Sequence, residues 1–173
     1  MSIYHKYFKE YLDPFGTLVD FELNFPDNFN FAYDVVDEIA KEEPNKKALV
    51  WCNTENEEHI FTFEDIKDYS NKYANIFVQD GIKKGDHVMV VLKRQYEYWF
   101  TAIALHKIGA IMIPATHMLT VSDFSYRIKK ANVKAVISTA KDEVTDKIYK
   151  ATKELELNIK LYCVQKDVEH FCN

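Results

Sequence analysis

The sequence predicts an α/β fold: a mainly parallel sheet with flanking helices, plus one short hairpin. Three observations predict it. The near-continuous apolar run His87–Leu92 suits a strand covered on both faces. Residues on either side of it repeat their apolar positions at helical spacing, with Ile66, Tyr69, Tyr73, Ile76 and Phe77 before it and Tyr96–Ile108 after it. Short apolar segments then recur at Ile111–Ile113, Val133–Ser138 and Ile159–Val164, each separated from the next by a helix-length stretch. Strands alternating with helices build a parallel sheet, with right-handed crossovers.

The elements follow in chain order. Residues 1–29 form an amino-terminal arm rich in aromatics but interrupted by Pro14 and Pro26, so one short helix is expected near Tyr4–Tyr11, with irregular chain after it. The arm's aromatics are expected to pin it to the rest of the chain. Residues 30–173 form the α/β domain proper. Asn30 caps a helix through Ala40 whose inner face is Val35, Val36, Ile39 and Ala40, and Pro44 ends it. Ala48–Cys52 and His59–Phe63 flank the polar Asn53–Glu58 and read as the hairpin. Thr62 with Asp65 three residues on caps the helix that Gly81 stops. Gly85-Asp86 turns into the strand at His87. Thr120 or Ser122 caps a later helix with Phe124, Ile128 and Ala131 inside, and Lys141–Leu155 forms a polar helix before the last strand. From Gln165 onward no pattern is interpretable.

Bulk properties exclude several functions. A chain of 173 residues, 47% of them hydrophobic, is long enough for a real core, burying roughly 70% of its unfolded surface. The net charge of −5, with lysines scattered among acids, gives no basis for nucleic-acid binding. No segment approaches the ~18–20 apolar residues of a membrane span, and the charged amino terminus, without a continuous apolar core, is not expected to act as a signal peptide. Cys52, Cys163 and Cys172 form no C-x-x-C pair and have no histidine at ligand spacing, so no metal site is expected. Their odd number suits a reducing compartment, the cytoplasm.

Four segments carry a family resemblance. Phe61-Thr62-Phe63-Glu64-Asp65 resembles a strand-to-helix entry usually written L-T-Y-x-E-L. Gly81-Ile82-Lys83-Lys84-Gly85-Asp86-His87-Val88 resembles a G-[VI]-x-x-G-D-x-V turn. Leu105-His106-Lys107-Ile108-Gly109-Ala110 with Ile113-Pro114 resembles a helix-to-strand core motif, and Asn30–Trp51 is similar to a medium-chain branch of the same enzymes. In this order, from about Asn30 to Thr139, they resemble the opening part of the AMP-forming acyl-CoA synthetases of the adenylate-forming superfamily.

That resemblance implies a ligase. The full-length enzyme would activate a short- or medium-chain carboxylic acid with ATP and Mg²⁺ to an acyl-adenylate, then pass the acyl group to coenzyme A. Such enzymes wrap the ATP phosphates in a Gly/Ser/Thr-rich loop, because only backbone without side chains approaches phosphate that closely. The four glycines here, Gly16, Gly81, Gly85 and Gly109, form no such cluster. The chain therefore reads as an amino-terminal subdomain truncated before the phosphate-binding loop. By itself it is expected to be inactive, to bind neither nucleotide nor coenzyme A, and to self-associate through apolar surface meant for the rest of the enzyme. The competing interpretation is a free-standing, non-catalytic α/β domain that binds a ligand or partner.

No catalytic constellation is evident. His106 has no Ser, Cys or carboxylate at suggestive spacing and reads as a packed or surface imidazole. His87 opens a strand after a turn, and Asp65, Asp68 and Asp86 are explained by capping, helix polarity and the turn. Arg94, beside Lys93 at the end of a strand, either meets an anion or pairs with Glu97. Among the aromatics that follow, Tyr98, Trp99 and Ala102 are expected in the core. The candidate cofactor-binding residues are Thr116, His117 and Met118, just past the carboxyl end of a parallel strand, where open α/β sheets bind ligands. The resemblance implies that this connection lines the channel for the pantetheine arm of coenzyme A, where a Met118 thioether would pack on an alkyl thiol. The other reading is an ordinary loop with Met118 buried beneath it.

Overall fold

The computed structural model describes residues 3–172. The chain divides into two compact units, Met1–Asp68 and Tyr69–Asn173. The first opens with a 3-10 turn, Ile3–Lys6, and the strands β1 (Phe8–Leu12) and β2 (Leu18–Leu23), paired antiparallel. The helix expected over Tyr4–Tyr11 does not form. Asp13 explains why: its Oδ1 accepts from the amides of Phe15 and Thr17, both at 2.8 Å, and Gly16 at φ 82° completes a turn that folds the aromatic-rich chain back on itself. One hairpin face is apolar, with Phe8 opposite Leu23 and the Phe8 and Phe21 rings stacked at 5.2 Å. On the other face Tyr11 donates to Glu22 at 3.0 Å.

Within residues 1–29 the aromatics pack mainly on one another, and an ion pair reaches the helix that follows. Tyr7 packs edge-on against Phe29 at 5.0 Å, and Lys6 pairs with Glu38 at 3.4 Å. The helix expected from Asn30 is two pieces, a π-helical stretch Ala32–Asp37 running into α1 (Glu38–Glu42). Asn30 Oδ1 accepts from Ala32 N at 3.0 Å while Asp34 returns a carboxylate to Asn30 N at 2.6 Å. Those local side-chain bonds compete with regular α-helical pairing and widen the first turn. Ala32, Val36 and Ala40 are its buried positions. The hairpin β3 (Lys47–Cys52) and β4 (Glu58–Thr62) forms as expected around Asn53, whose Oδ1 accepts from Glu55 N and Glu57 N.

Helix α2 (Phe63–Gln79) starts on a capping box: Asp65 N donates to Thr62 Oγ1 at 3.2 Å and Thr62 N to Asp65 Oδ2 at 2.8 Å. The unit boundary falls within it. Beyond lie β5 (His87–Val91), α3 (Glu97–Ile108), β6 (Ile111–Pro114), α4 (Val121–Lys130), β7 (Val133–Thr139), α5 (Val144–Glu154) and β8 (Lys160–Val164). All four strands are parallel, in the order β6-β5-β7-β8. The fold is α/β, with helices on both faces of the sheet. Val88, Val90, Ala135, Ile137, Tyr162 and Val164 point to one face and pack with Ala74 and Phe77 of α2 and Ala104 and Leu105 of α3. Met89, Val91, Val136 and Leu161 point to the other and meet Phe124 and Ile128 of α4 and Val144, Ile148 and Ala151 of α5. Alternate residues of each strand are thus buried on opposite sides, which is why these strands read as continuous apolar runs.

One packing expectation needs correction. Trp99 is 50% exposed, and Phe100 takes the core position, stacked on Tyr69 at 4.6 Å. Helix α3 is buried around most of its circumference, so its apolar residues show no single stripe from which the outward one could be picked. On α2, Ile76 and Tyr69 sit at the rim, while Ser70, Ala74 and Phe77 are buried. Two expectations about helix starts are resolved as well. Thr120, not Ser122, caps α4 and forms a capping box with Asp123. The polar helix starts at Val144, after a separate 3-10 turn, Lys141–Glu143.

Candidate functional site

The sheet order defines where a ligand would enter. From β5 the chain passes to β6 on one side, then crosses back to β7, from which it continues outward to β8. The connections leaving the neighbouring strands β5 and β7 therefore run in opposite directions. Helix α3 follows β5 on one face of the sheet, and α5 follows β7 on the other. Between two such carboxyl ends the loops diverge and leave a crevice, the position at which open α/β sheets bind ligands.

Side chains from three strand ends meet there. Lys93, two residues past β5, donates from Nζ to Asp142 Oδ2 at 2.8 Å; Asp142 lies in the turn past β7. His117, past β6, places Nε2 3.9 Å from the same oxygen. Lys147 of α5 donates to the Asp142 backbone carbonyl at 3.3 Å. The Lys93 hydrogen bond, aided by the charges of Lys93, His117 and Lys147, holds the Asp142 carboxyl below the usual carboxylate range, against an opposing effect of burial. The turn is conformationally unusual: Asp142 and Glu143, neither a glycine, both adopt φ 57°. Alongside, Gln95 Nε2 donates to Gln165 Oε1 at 2.6 Å, tying the end of β5 to the end of β8.

Of the three candidate residues, Thr116 and Met118 are exposed and His117 is half-buried. Thr116 Oγ1 accepts from Met118 N at 3.3 Å, a local turn that turns Met118 outward, and Met118 is 74% exposed while Leu119 after it is buried. The alternative of Met118 buried beneath the loop does not hold; Leu119 fills that place. An exposed thioether at a strand's carboxyl end can pack against an alkyl chain, and the nearby ammonium groups can meet anions. His106 is exposed on α3, far along the helix from the strand ends. Asp142 was not singled out from sequence, and its signal was only positional, as a polar residue in the turn after a buried strand. Among the described residues, no group of three or more His, Cys, Asp or Glu could hold a metal ion, and no helix is long and apolar enough to cross a membrane. The four glycines stand singly at turns, each at positive φ.

Comparison with known proteins gives a consistent picture. The family described as AMP-binding enzyme matches residues 36–170. The Homo sapiens protein named acyl-coenzyme A synthetase ACSM3, mitochondrial, is 35% identical over 125 residues, 69% of this chain and 21% of that protein. The Rattus norvegicus acyl-coenzyme A synthetase ACSM5, mitochondrial, is 39% identical over 120 residues, 66% of this chain and 21% of its own length. The chain thus spans about a fifth of the length of the curated relatives it matches. Among solved structures, a Brucella canis acyl-CoA synthetase superposes with a TM-score of 0.70 at 23% identity, covering 84% of this chain and 26% of that one. A benzoate CoA ligase from Burkholderia xenovorans LB400 gives 0.66 at 15% identity, covering 79% and 26%. These two establish a shared fold.

Proposed function

The chain belongs to the AMP-binding enzyme family, and from that premise we propose that it supplies the coenzyme A-facing part of an AMP-forming acyl-CoA synthetase. In the whole enzyme, a carboxylate oxygen of a short- or medium-chain acid attacks the α-phosphorus of ATP and pyrophosphate leaves. The thiol of coenzyme A then attacks the acyl carbon of the mixed anhydride, loses its proton, and AMP departs. Mg²⁺, bound together with the nucleotide, would supply charge screening of the ATP phosphates. Residues 1–29 serve as an arm and residues 30–173 as the amino-terminal subdomain, with the ATP-wrapping loop contributed by other parts of the enzyme. Alone, the chain turns over nothing. Its three free thiols suit a reducing compartment such as the cytoplasm.

The observation that carries this proposal is the loop Thr116-His117-Met118. It leaves β6 beside the switch-point crevice with its thioether outward, and Lys93 and Lys147 lie within the same cluster. On this reading Met118 packs along the alkyl part of the thiol arm and the ammonium groups favour the anionic end of coenzyme A. The experiment is to read the transcript beyond codon 173 and assay its product with butyrate, hexanoate and octanoate. Coenzyme A-dependent thioester formation with release of AMP supports the proposal. A native stop codon with a chain that binds ligand but forms no thioester favours a free-standing binding module.

A further inference from the structure

Helix α5 and the turn before it contain an arrangement that a resting loop does not need. Asp142 stands in the left-handed region at φ 57°, ψ 35°, and Glu143 follows at φ 57°, ψ 23°. Single aspartates visit that region because their short side chain bonds locally; two consecutive non-glycine residues there are strained. The strain is held by groups from other elements. Lys93 comes from the end of β5, His117 from the end of β6 and Lys147 from the first turns of α5, and all three converge on Asp142. Because β5 and β7 are the strands whose connections diverge, the Lys93–Asp142 pair spans the mouth of the crevice itself.

We propose that Asp142 is an internal anion that latches this crevice, and that a phosphate group of an incoming ligand competes with it for Lys93, Lys147 and His117. The inference deepens the preceding one, on which it rests for the identity of the ligand: the phosphate-bearing end of coenzyme A. Lys93 and His117 face the Asp142 carboxylate and Lys147 bonds the backbone carbonyl of the same residue, so three cationic or potentially cationic groups gather at one turn and form a receptor for an anion; phosphate offers more acceptor oxygens than Asp142 does. When phosphate takes Lys93, the Asp142–Glu143 turn loses the contact that holds it and can relax. The crevice then opens only when an anion is there to replace the carboxylate. The pair is about half exposed, with side chains 40% and 48% accessible, so the latch is a weak one and can be displaced.

The test uses the 173-residue chain and inorganic phosphate at constant ionic strength, so it does not depend on acyl transfer. Backbone amide shifts of residues 93–95 and 141–144 are followed during titration. Asp142→Asn should tighten phosphate binding by about five-fold, the factor one unit charge at about 4 Å supplies in water. Asp142→Gly should tighten it by a similar factor, because it too removes the competing carboxylate, and glycine adopts the left-handed turn without strain, which covers the case of a poorly folded asparagine variant. Lys93→Met should weaken binding by a similar factor. Unchanged or weaker binding in both Asp142 variants, or an equal response to chloride, overturns the latch. If the assays of the whole enzyme find no thioester while phosphate still competes with Asp142, the latch stands and only the ligand assignment falls.

Discussion

The Tyr162 hydroxyl donates to Asp80 Oδ2 at 2.7 Å, and that single bond ties the end of helix α2 to the edge strand β8 across 82 residues of chain. Lys160, two residues earlier on the strand, pairs with the other carboxylate oxygen at 2.9 Å. Hydrogen bonds from Tyr162 and then Lys160 hold the Asp80 carboxyl below its ordinary range. Burial first, then the bond to Asp80, raises the Tyr162 phenol, and the Asp80 bond raises Lys160.

The stability this cluster lends has a defined pH window. A lowered carboxylate contributes fully above its unfolded value, about 3.9, and the contribution fades as pH falls through the lowered value. A raised phenol and a raised ammonium contribute fully below about 10 and lose their contribution as pH climbs beyond it. Urea midpoints should therefore plateau between about pH 5 and 9 and drop on both sides. Tyr162→Phe should cost about 1 kcal/mol at pH 7 and flatten the alkaline drop. An unchanged alkaline limb in Tyr162→Phe would assign that drop to other groups.

Gly109 closes α3 in the left-handed conformation, φ 69°, with its amide bonded to His106 O. A Cβ there would meet Lys84 Cγ at 3.0 Å, but that atom belongs to a flexible side chain and can move aside. The backbone conformation therefore dominates, and Gly109→Ala should destabilise by about 1 kcal/mol. Thermal unfolding checks this. A loss several times larger would mean that the Lys84 contact, not the backbone, decides.

The β1–β2 hairpin leaves large apolar side chains in the open: Phe15 at its turn is 92% exposed, and Val19, Phe21 and Leu23 are exposed along β2. Surfaces of this kind drive association. The isolated chain is expected to form dimers or larger species as concentration rises, and Phe15→Ser with Phe21→Ser should shift it toward monomer. Light scattering that reports a monomer at high concentration, with no apolar dye bound, would contradict this.

The parallel sheet was legible because its strands are buried on both faces, and the run His87–Leu92 needs no partner to be recognised. Helix caps were legible where the cap is local, as at Thr62–Asp65 and Thr120–Asp123. The amino-terminal hairpin was not, because aromatic residues suit strand and amphipathic helix alike and the Asp13 carboxylate decided the turn by accepting from two backbone amides. The candidate loop Thr116–Met118 was legible as a strand end. Asp142 was not, because its partner Lys93 lies 49 residues away and only the strand order β5-β7 brings them together. Pairing across a crossover leaves no local trace in sequence.

Met118→Arg in the whole enzyme tests the proposed place of Met118 on the coenzyme A path. ATP–pyrophosphate exchange and acyl-CoA formation are measured side by side on the same preparation. A bulky cation on the thiol path should slow thioester formation about ten-fold or more while exchange stays near the parent rate, because only the second half-reaction loses binding energy. Equal losses in both assays, or thioester formation unchanged, would remove this loop from the site.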